Sequence, residues 1–302
     1  MSFLPIAILG YLLTAVSVLV DKFLVDRSIP HPIVYTFYLG ILSLSALALV
    51  PFGFYFPDQA VLILAFFSGI SFVLAWLMFY SVLKFDEASR VSPIVGALNS
   101  LFTLTIGFLF FAQVLSGKQV LASLILILGL VVLSSTSWSA SWRLKRQHIL
   151  LMISSAVLFA VASVLLREVF LKTTFINGLI LTRIAMAATA CCFLIIPEAR
   201  KFILQGKITR HHFVNKTSLL FMSGQLVGAL GGLLITYAIF LVNPAIVSAT
   251  QGVQYLLILI VILLLSKKYQ HLLEEQLTRR VILQKVFGAI LIALGLWRLA
   301  SS

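Results

Sequence analysis

Arg183 stands inside the apolar stretch LTRIAMAA (181–188). A cation near the centre of a hydrocarbon layer costs roughly 3 kcal/mol or more, so its guanidinium must face protein or water. Three roles fit it. It can be a counter-charge for an anionic group such as a carboxylate, a staple on helix carbonyls, or a side chain that snorkels toward an interface. Gln251, Gln254 and Tyr255 form a second polar set. Their spacing of three and four puts them on one helix face, as a hydrogen-bonding wall or as interhelical glue. Asn99, with Ser100 and Thr103, holds a comparable depth in an earlier run. Gln225 lies beside Gly224, Gly228 and Gly232, a small-xxx-small pattern that lets helices approach closely. Trp76 and Tyr11 are candidate aromatic walls.

Charges are otherwise confined to the ends of apolar runs. Asp21 with Lys22 and Arg167 with Glu168 make matching acidic–basic pairs. They are candidate gates that open and close by exchanging ion pairs, or else plain solvated charge. Lys84, Asp86, Glu87 and Arg90 form a mixed cluster. No Asp or Glu reads as mid-membrane, so no proton-coupling carboxylate is visible.

These groups need elements to hold them. The chain has 302 residues, 61% hydrophobic and 10% charged, with mean hydropathy +1.13. A soluble chain would carry about a quarter charged residues, so lipid is the expected solvent. A span needs roughly 20 apolar residues to cross about 30 Å of hydrocarbon. Ten such helices are expected near 2–20, 32–51, 59–83, 90–112, 119–137, 148–169, 175–196, 215–240, 244–265 and 281–299. Helices are required because a backbone in lipid must satisfy its own hydrogen bonds. Pro32, Pro93 and Pro244 are expected in first turns, while Pro51 and Pro197 close helices. The N-terminal run lacks a basic n-region and a small-residue cleavage site, which reads as a retained helix.

The two halves echo each other. VSVLVDK (16–22) parallels ASVLLRE (162–168), Tyr80 with Ala88 parallels Tyr237 with Ala245, and LILGL (126–130) parallels IALGL (292–296). Five crossings are an odd number, so a second copy must insert from the opposite side. The expected fold is therefore all-α integral membrane, with ten transmembrane helices as two inverted five-helix repeats over residues 1–137 and 148–302. Such folds place a substrate site at the midplane, between halves that rock.

At this point the chain resembles the EamA-like transporters of the drug/metabolite transporter superfamily. The likeness rests on Lys22 after span one, LTRIAMAA with its arginine, and QKVFGAILIALGLW (284–297) preceded by Glu274 and Glu275. The first half departs from the pattern. Gln113 stands where a Glu is common, and Tyr38 where a second-span arginine often occurs. The resemblance implies secondary transport or export of amino acids, related metabolites or drugs at a bacterial inner membrane. The cavity residues expected from all of this are Arg183, Gln225, Gln251, Gln254, Tyr255, Asn99, Tyr38 and Trp76, with Asp21, Lys22, Arg167 and Glu168 as gates.

Other classes lack their signatures. There is no HExxH, Walker motif or aspartate-rich diphosphate site, which argues against an intramembrane enzyme and direct ATP drive. His31, His148, His211, His212 and His271 fall at loops or helix starts, and Cys191 and Cys192 are adjacent, so neither metal nor haem cofactor is expected. A flippase for a lipid-linked intermediate shares the expected fold and stays an alternative. The net charge of +13 reads as loop charge facing anionic lipid rather than nucleic-acid binding. Most of the 22 Lys and Arg follow odd-numbered spans, which by the positive-inside rule puts both termini outside the cytoplasm, against the usual drawing of related transporters. The expected partners are a small solute and membrane lipid; a coupling proton or ion and the oligomeric state stay open.

Overall fold

The computed structural model describes residues 3–27, 31–85, 88–111, 115–135, 146–205, 216–266 and 279–300. Among them are twelve α-helices: α1 (Phe3–Arg27), α2 (Pro32–Leu42), α3 (Gln59–Leu83), α4 (Ala88–Phe111), α5 (Gly117–Ser135), α6 (Arg146–Lys172), α7 (Phe175–Cys192), α8 (Pro197–Gln205), α9 (Lys216–Leu241), α10 (Pro244–Ala249), α11 (Gly252–Ser266) and α12 (Arg279–Ala300). Described residues include no β-strand. Among the described residues, seven helical segments are long and apolar enough to cross a membrane: Phe3–Lys22, Pro32–Phe52, Gln59–Leu83, Val91–Phe111, Arg146–Lys172, Phe175–Ile195 and Met222–Leu241. Shorter apolar segments run over Gly117–Val132 and Val286–Arg298. Large apolar side chains such as Phe66, Phe108, Phe110 and Trp297 are exposed on the outside. In lipid that exposure costs nothing.

Chain punctuation follows the prolines in part. Pro32 and Pro244 open α2 and α10 in the first turn, where a missing N–H is tolerated. Pro93 lies inside α4, because that helix starts at Ala88. Pro51 sits within the 3-10 segment Ser43–Phe52 that continues α2, and Pro197 begins α8. The expected ninth span is broken. α10 stops at Ala249, Thr250 and Gln251 form a turn, and α11 starts at Gly252. Gln251 N–H donates to the Ser248 carbonyl at 3.1 Å, a tightened bond that ends α10.

Helix directions follow from paired contacts. On α1 and α9, Gly10 meets Ile235 and Gly231, Ser17 meets Gly228, and Val20 meets Gly224. Numbers rise on one helix and fall on the other, so the two are antiparallel. On α3 and α6, Ser68 Oγ donates to the Ala162 carbonyl (2.9 Å) and Ser155 Oγ to the Ala75 carbonyl (3.0 Å), again antiparallel. The same holds for α2 with α7 (Gly40 against Ala190, Ser43 Oγ to the Arg183 carbonyl). It holds for α4 with α10–α11 (Gly96 against Tyr255, Ser100 Oγ to the Ser248 carbonyl). It also holds for α5 with α12 (Leu126 against Gly295, Gln284 Nε2 to the Val132 carbonyl).

Two basic side chains close helix ends. Lys22 Nζ donates to the Leu83 carbonyl at the end of α3 (2.8 Å). Arg167 Nη1 donates to the carbonyls of Ile239 (2.9 Å) and Phe240 at the end of α9. Cations suit these termini because the last carbonyls lack intrahelical donors. The contacts also set direction: α1 ends beside the end of α3, and α6 ends beside the end of α9. Since α9 is antiparallel to α1, α6 runs opposite to α1.

The glycine stripe on α9 differs from its sequence reading. Gly224, Gly228 and Gly231 face α1, whereas a Cβ on Gly232 would meet nothing within 4 Å. Spacings of four and three keep the first three on one stripe; residue 232 falls at its edge. A Cβ on Gly231 would sit 2.8 Å from the Gly10 carbonyl oxygen. Gly231→Ala should therefore lower stability by about 1–3 kcal/mol, while Gly232→Ala should be neutral or gain up to about 1 kcal/mol of helix propensity. Thermal unfolding in one detergent compares the two, and equal effects would contradict the packing described. The same measurement applies to Arg167→Met, expected to cost about 1.5–3 kcal/mol for hydrogen bonds from a charged donor. Arg167→Lys should cost less.

Candidate functional site

Two polar centres lie inside the bundle. The first surrounds Arg183 on α7. Its guanidinium borders a small void of about 10 Å³ lined by Phe72 of α3, Leu166 of α6, Leu179 and Thr182 of α7 and Thr236 of α9. That is room for about one water molecule, so in this conformation the helices are closed around the guanidinium. Arg183 Nη1 donates to Met186 Sδ at 3.3 Å, a weak acceptor for a full positive charge. Thr182 and Thr236 spend their hydroxyls on the Gly178 and Gly232 carbonyls of their own helices. Among the described residues no ion pair or metal-binding cluster of acidic, His or Cys side chains accompanies this cation. The arrangement can take an anionic group.

The second centre surrounds Asp21 on α1, which is 3% exposed. Tyr35 Oη of α2 donates to Asp21 Oδ1. Tyr80 Oη of α3 donates to Oδ2 at 2.9 Å. Gln225 Nε2 of α9 donates to Oδ1 at 3.0 Å and to Tyr35 Oη at 2.8 Å. Four helices thus meet on one carboxyl group. Span one was expected to end at residue 20, with Asp21 just beyond it as half of a gate with Lys22. The helix instead continues to Arg27, so Asp21 points into the bundle while Lys22 turns to Leu83. Arg167 likewise serves as a helix cap. Asp86 and Glu87 of the mixed cluster, together with Gln113, Glu274 and Glu275, lie outside the described residues.

An aromatic face joins the two centres. Phe72, Trp76 and Tyr80 recur every four residues on α3 and so share one side. Phe159 of α6 contacts Phe72 (6.4 Å between centroids) and Trp76 (5.0 Å) edge-on. Trp76 stacks on Tyr80 at 5.4 Å and 17°, and Tyr80 meets Tyr35 at 4.6 Å. The expected aromatic wall at Trp76 is therefore part of a column running from the Arg183 void to Asp21.

The remaining expected residues form a third group. Tyr255 is buried against Gly96. Gln254 is buried too, and its Oε1 accepts from Gln251 Nε2 at 3.4 Å. Gln251 Oε1 is buried with no hydrogen-bond partner. Asn99 Oδ1 accepts from Thr103 Oγ1 at 3.3 Å, and Ser100 Oγ donates to the Ser248 carbonyl at 2.8 Å, beside the break in span nine. Tyr38 packs elsewhere, with Phe37, Val34 and Met186. Tyr35, one helical turn earlier, takes the polar role on α2.

Comparison with known proteins agrees with this architecture. Residues 1–135 match the EamA-like transporter family. No curated protein matches the sequence. Among solved structures 28 chains match. One crystal structure aligns with a TM-score of 0.64 at 17% identity, covering 98% of this chain and 96% of its own; at that identity the likeness is one of fold. Residues 1–135 are thus similar to the EamA-like transporter family, and the chain, with seven apolar membrane-length helices among the described residues, is a multi-pass membrane protein.

Proposed function

We propose that the chain is a secondary transporter that moves a small organic metabolite, an amino acid or a relative of one, by alternating access between two inverted five-helix halves. The halves are residues 1–137 and 148–302, the membrane is a bacterial inner membrane, and the direction is export.

Helix pairing supports the inverted halves. Let α1, α2, α3, α4 and α5 exchange with α6, α7, α9, α10–α11 and α12. The pair α1·α9 then becomes α6·α3, and both pack closely. The pair α1·α11 becomes α6·α4, and both exist. The pairs α2·α7, α4·α10–α11 and α5·α12 map onto themselves. A two-fold axis lying across the helices makes every such self-pair antiparallel, as all three are. Lys22 capping α3 and Arg167 capping α9 are the same device at opposite ends.

The observation that carries the transport reading is the Arg183 void. It draws Phe72 from the first half and Leu166, Thr182, Arg183 and Thr236 from the second. A half-buried cation with a thioether as its acceptor favours a solute carboxylate, because the alternative is a poorly satisfied charge. Closure around a site between two halves is one state that alternating access requires.

The test is flux in proteoliposomes. Glutamate and succinate serve as anionic probes and leucine as a zwitterionic one. Arg183→Gln should abolish flux of any carboxylate the wild type carries, and Arg183→Lys should recover part of it, since a point charge lacks the planar fork that holds a carboxylate with two hydrogen bonds. Normal insertion of both variants with wild-type flux would remove Arg183 from the site.

A further inference from the structure

We propose that Asp21 is a proton-binding site whose occupancy fastens and releases the two halves at one end of the bundle, so that a proton gradient drives the transport cycle; this rests on the transporter reading above.

The hydrogen-bond directions at Asp21 have one sense. Tyr35 and Tyr80 donate hydroxyl protons to it, and Gln225 donates an amide proton to it and another to Tyr35. A carboxylate with acceptors only suits that set. Binding a proton converts one carboxylate oxygen into a donor, placed among donors already aimed at it, so the set must rearrange: a tyrosine hydroxyl turns to accept, or a contact is released. Tyr35 and Tyr80 lie within the same half as Asp21. Gln225, on α9, belongs to the other half, so it is the contact that helix motion can release.

Among the described residues no cation is paired with the carboxylate. On α1 the Lys22 ammonium is turned to the Leu83 carbonyl. Lys84 follows the end of α3 and acts on His31, just before α2. From α2 and α3 the facing titratable groups are Tyr35 and Tyr80, and from α9 the facing group is Gln225, which does not titrate. Where α11 packs against α1, the titratable group on α11 is Tyr255, which lies near Tyr11, about three helical turns from Asp21. The site needs no group beyond a proton from water. The proton enters from one side, rides on the carboxyl through the change of conformation, and returns to water on the other.

The geometry also places a reporter. Trp76 stacks on Tyr80, which holds Asp21. A variant with Trp138, Trp142 and Trp297 each changed to Phe leaves Trp76 as the remaining tryptophan. This protein is reconstituted in phosphatidylcholine–phosphatidylglycerol vesicles, and Trp76 fluorescence is followed from mildly acidic to mildly alkaline pH. The expected result is one pH-dependent transition that is lost in Asp21→Asn and displaced in Tyr80→Phe, which removes one donor but keeps the carboxyl group. In the same vesicles, release of radiolabelled glutamate or leucine is measured with and without an imposed pH difference. The gradient should accelerate wild-type release, while in Asp21→Asn release should be the same with and without the pH difference.

A Trp76 transition unchanged in Asp21→Asn, or in Tyr80→Phe where Asp21→Asn does not reconstitute, overturns the proposal. So does solute flux in the wild type that is indifferent to the pH difference. A transition that requires Asp21 in vesicles that move no solute from a metabolite panel supports proton binding and sinks the transporter reading instead.

Discussion

The close approach of α1 and α9 is the contact on which the interior depends. These helices belong to different halves and meet over Gly10, Gly224, Gly228 and Gly231, where even a methyl group would overlap the facing backbone or Ser17 and Val20. Lipid supplies no hydrophobic drive for helix association, so close van der Waals contact must supply the attraction. The short separation then has a chemical consequence. Gln225, next to Gly224, can reach across to Asp21 at 3.0 Å. With a bulkier stripe on α9 the amide would stand too far away, and Asp21 would lose its one partner from the second half.

Polar groups in this bundle are arranged by what hydrocarbon forbids. Most carry a hydrogen-bond partner on their own or another helix, because an unsatisfied group in lipid costs several kcal/mol; among the described residues Thr36, Ser92, Ser123 and Gln251 each keep a buried oxygen without one. Arg183 and Asp21 carry opposite charge yet do not pair. Arg183 borders a void walled by α3, α6, α7 and α9, whereas Asp21 sits at the end of α1 beside the start of α2 and the end of α3. Between them stand Phe72, Phe159, Trp76 and Tyr80, whose rings exclude water without adding charge. A direct Arg183–Asp21 pair would give each its counter-charge; here Arg183 has Met186 Sδ and Asp21 has three donors instead. A change at one centre can reach the other through α3, which carries three of the four rings.

Much of this was legible in the chain. Apolar run lengths gave most helix positions, because a membrane span is dictated by thickness. The arginine of span seven stood out because charge in hydrocarbon is rare. VSVLVDK and ASVLLRE echo each other in the sequence, and their basic residues Lys22 and Arg167 both act as helix caps. The Asp21 centre was not legible. Hydropathy falls at the first charged residues, so span one appeared to stop at residue 20, although the helix continues to Arg27. The neighbouring Lys22 then suggested an ion pair, which successive residues on a helix do not form. Tyr35 carried no signal, since nothing local separates a tyrosine that donates to a carboxylate from one that packs like Tyr38. The register of α2 against α1 and α3 decides between them, and register is a tertiary property.

Span nine shows the same limit from the other direction. Its polar residues were visible, but as one face of a continuous helix. The turn at Thr250 and Gln251 interrupts that face, and the interruption has physical causes. Pro244 fixes the start of α10, and Asn243 caps it by accepting from the Ala245 N–H at 2.8 Å. Gly252, next after Gln251, is pressed by Ile292 of α12 closely enough that a Cβ would have to displace it. Breaking the helix frees backbone groups that lipid cannot satisfy. Tightened bonds from the Gln251 and Thr250 N–H groups take the Ser248 and Val247 carbonyls, to which Ser100 Oγ and Thr250 Oγ1 also donate. Non-helical backbone at membrane depth is tolerated where protein surrounds it, and here α4, α5 and α12 do so. The buried Gln251 Oε1 without a donor marks the point where that satisfaction is incomplete. A rearrangement of span nine therefore costs least at this turn, where one end of the polar face is already unanchored.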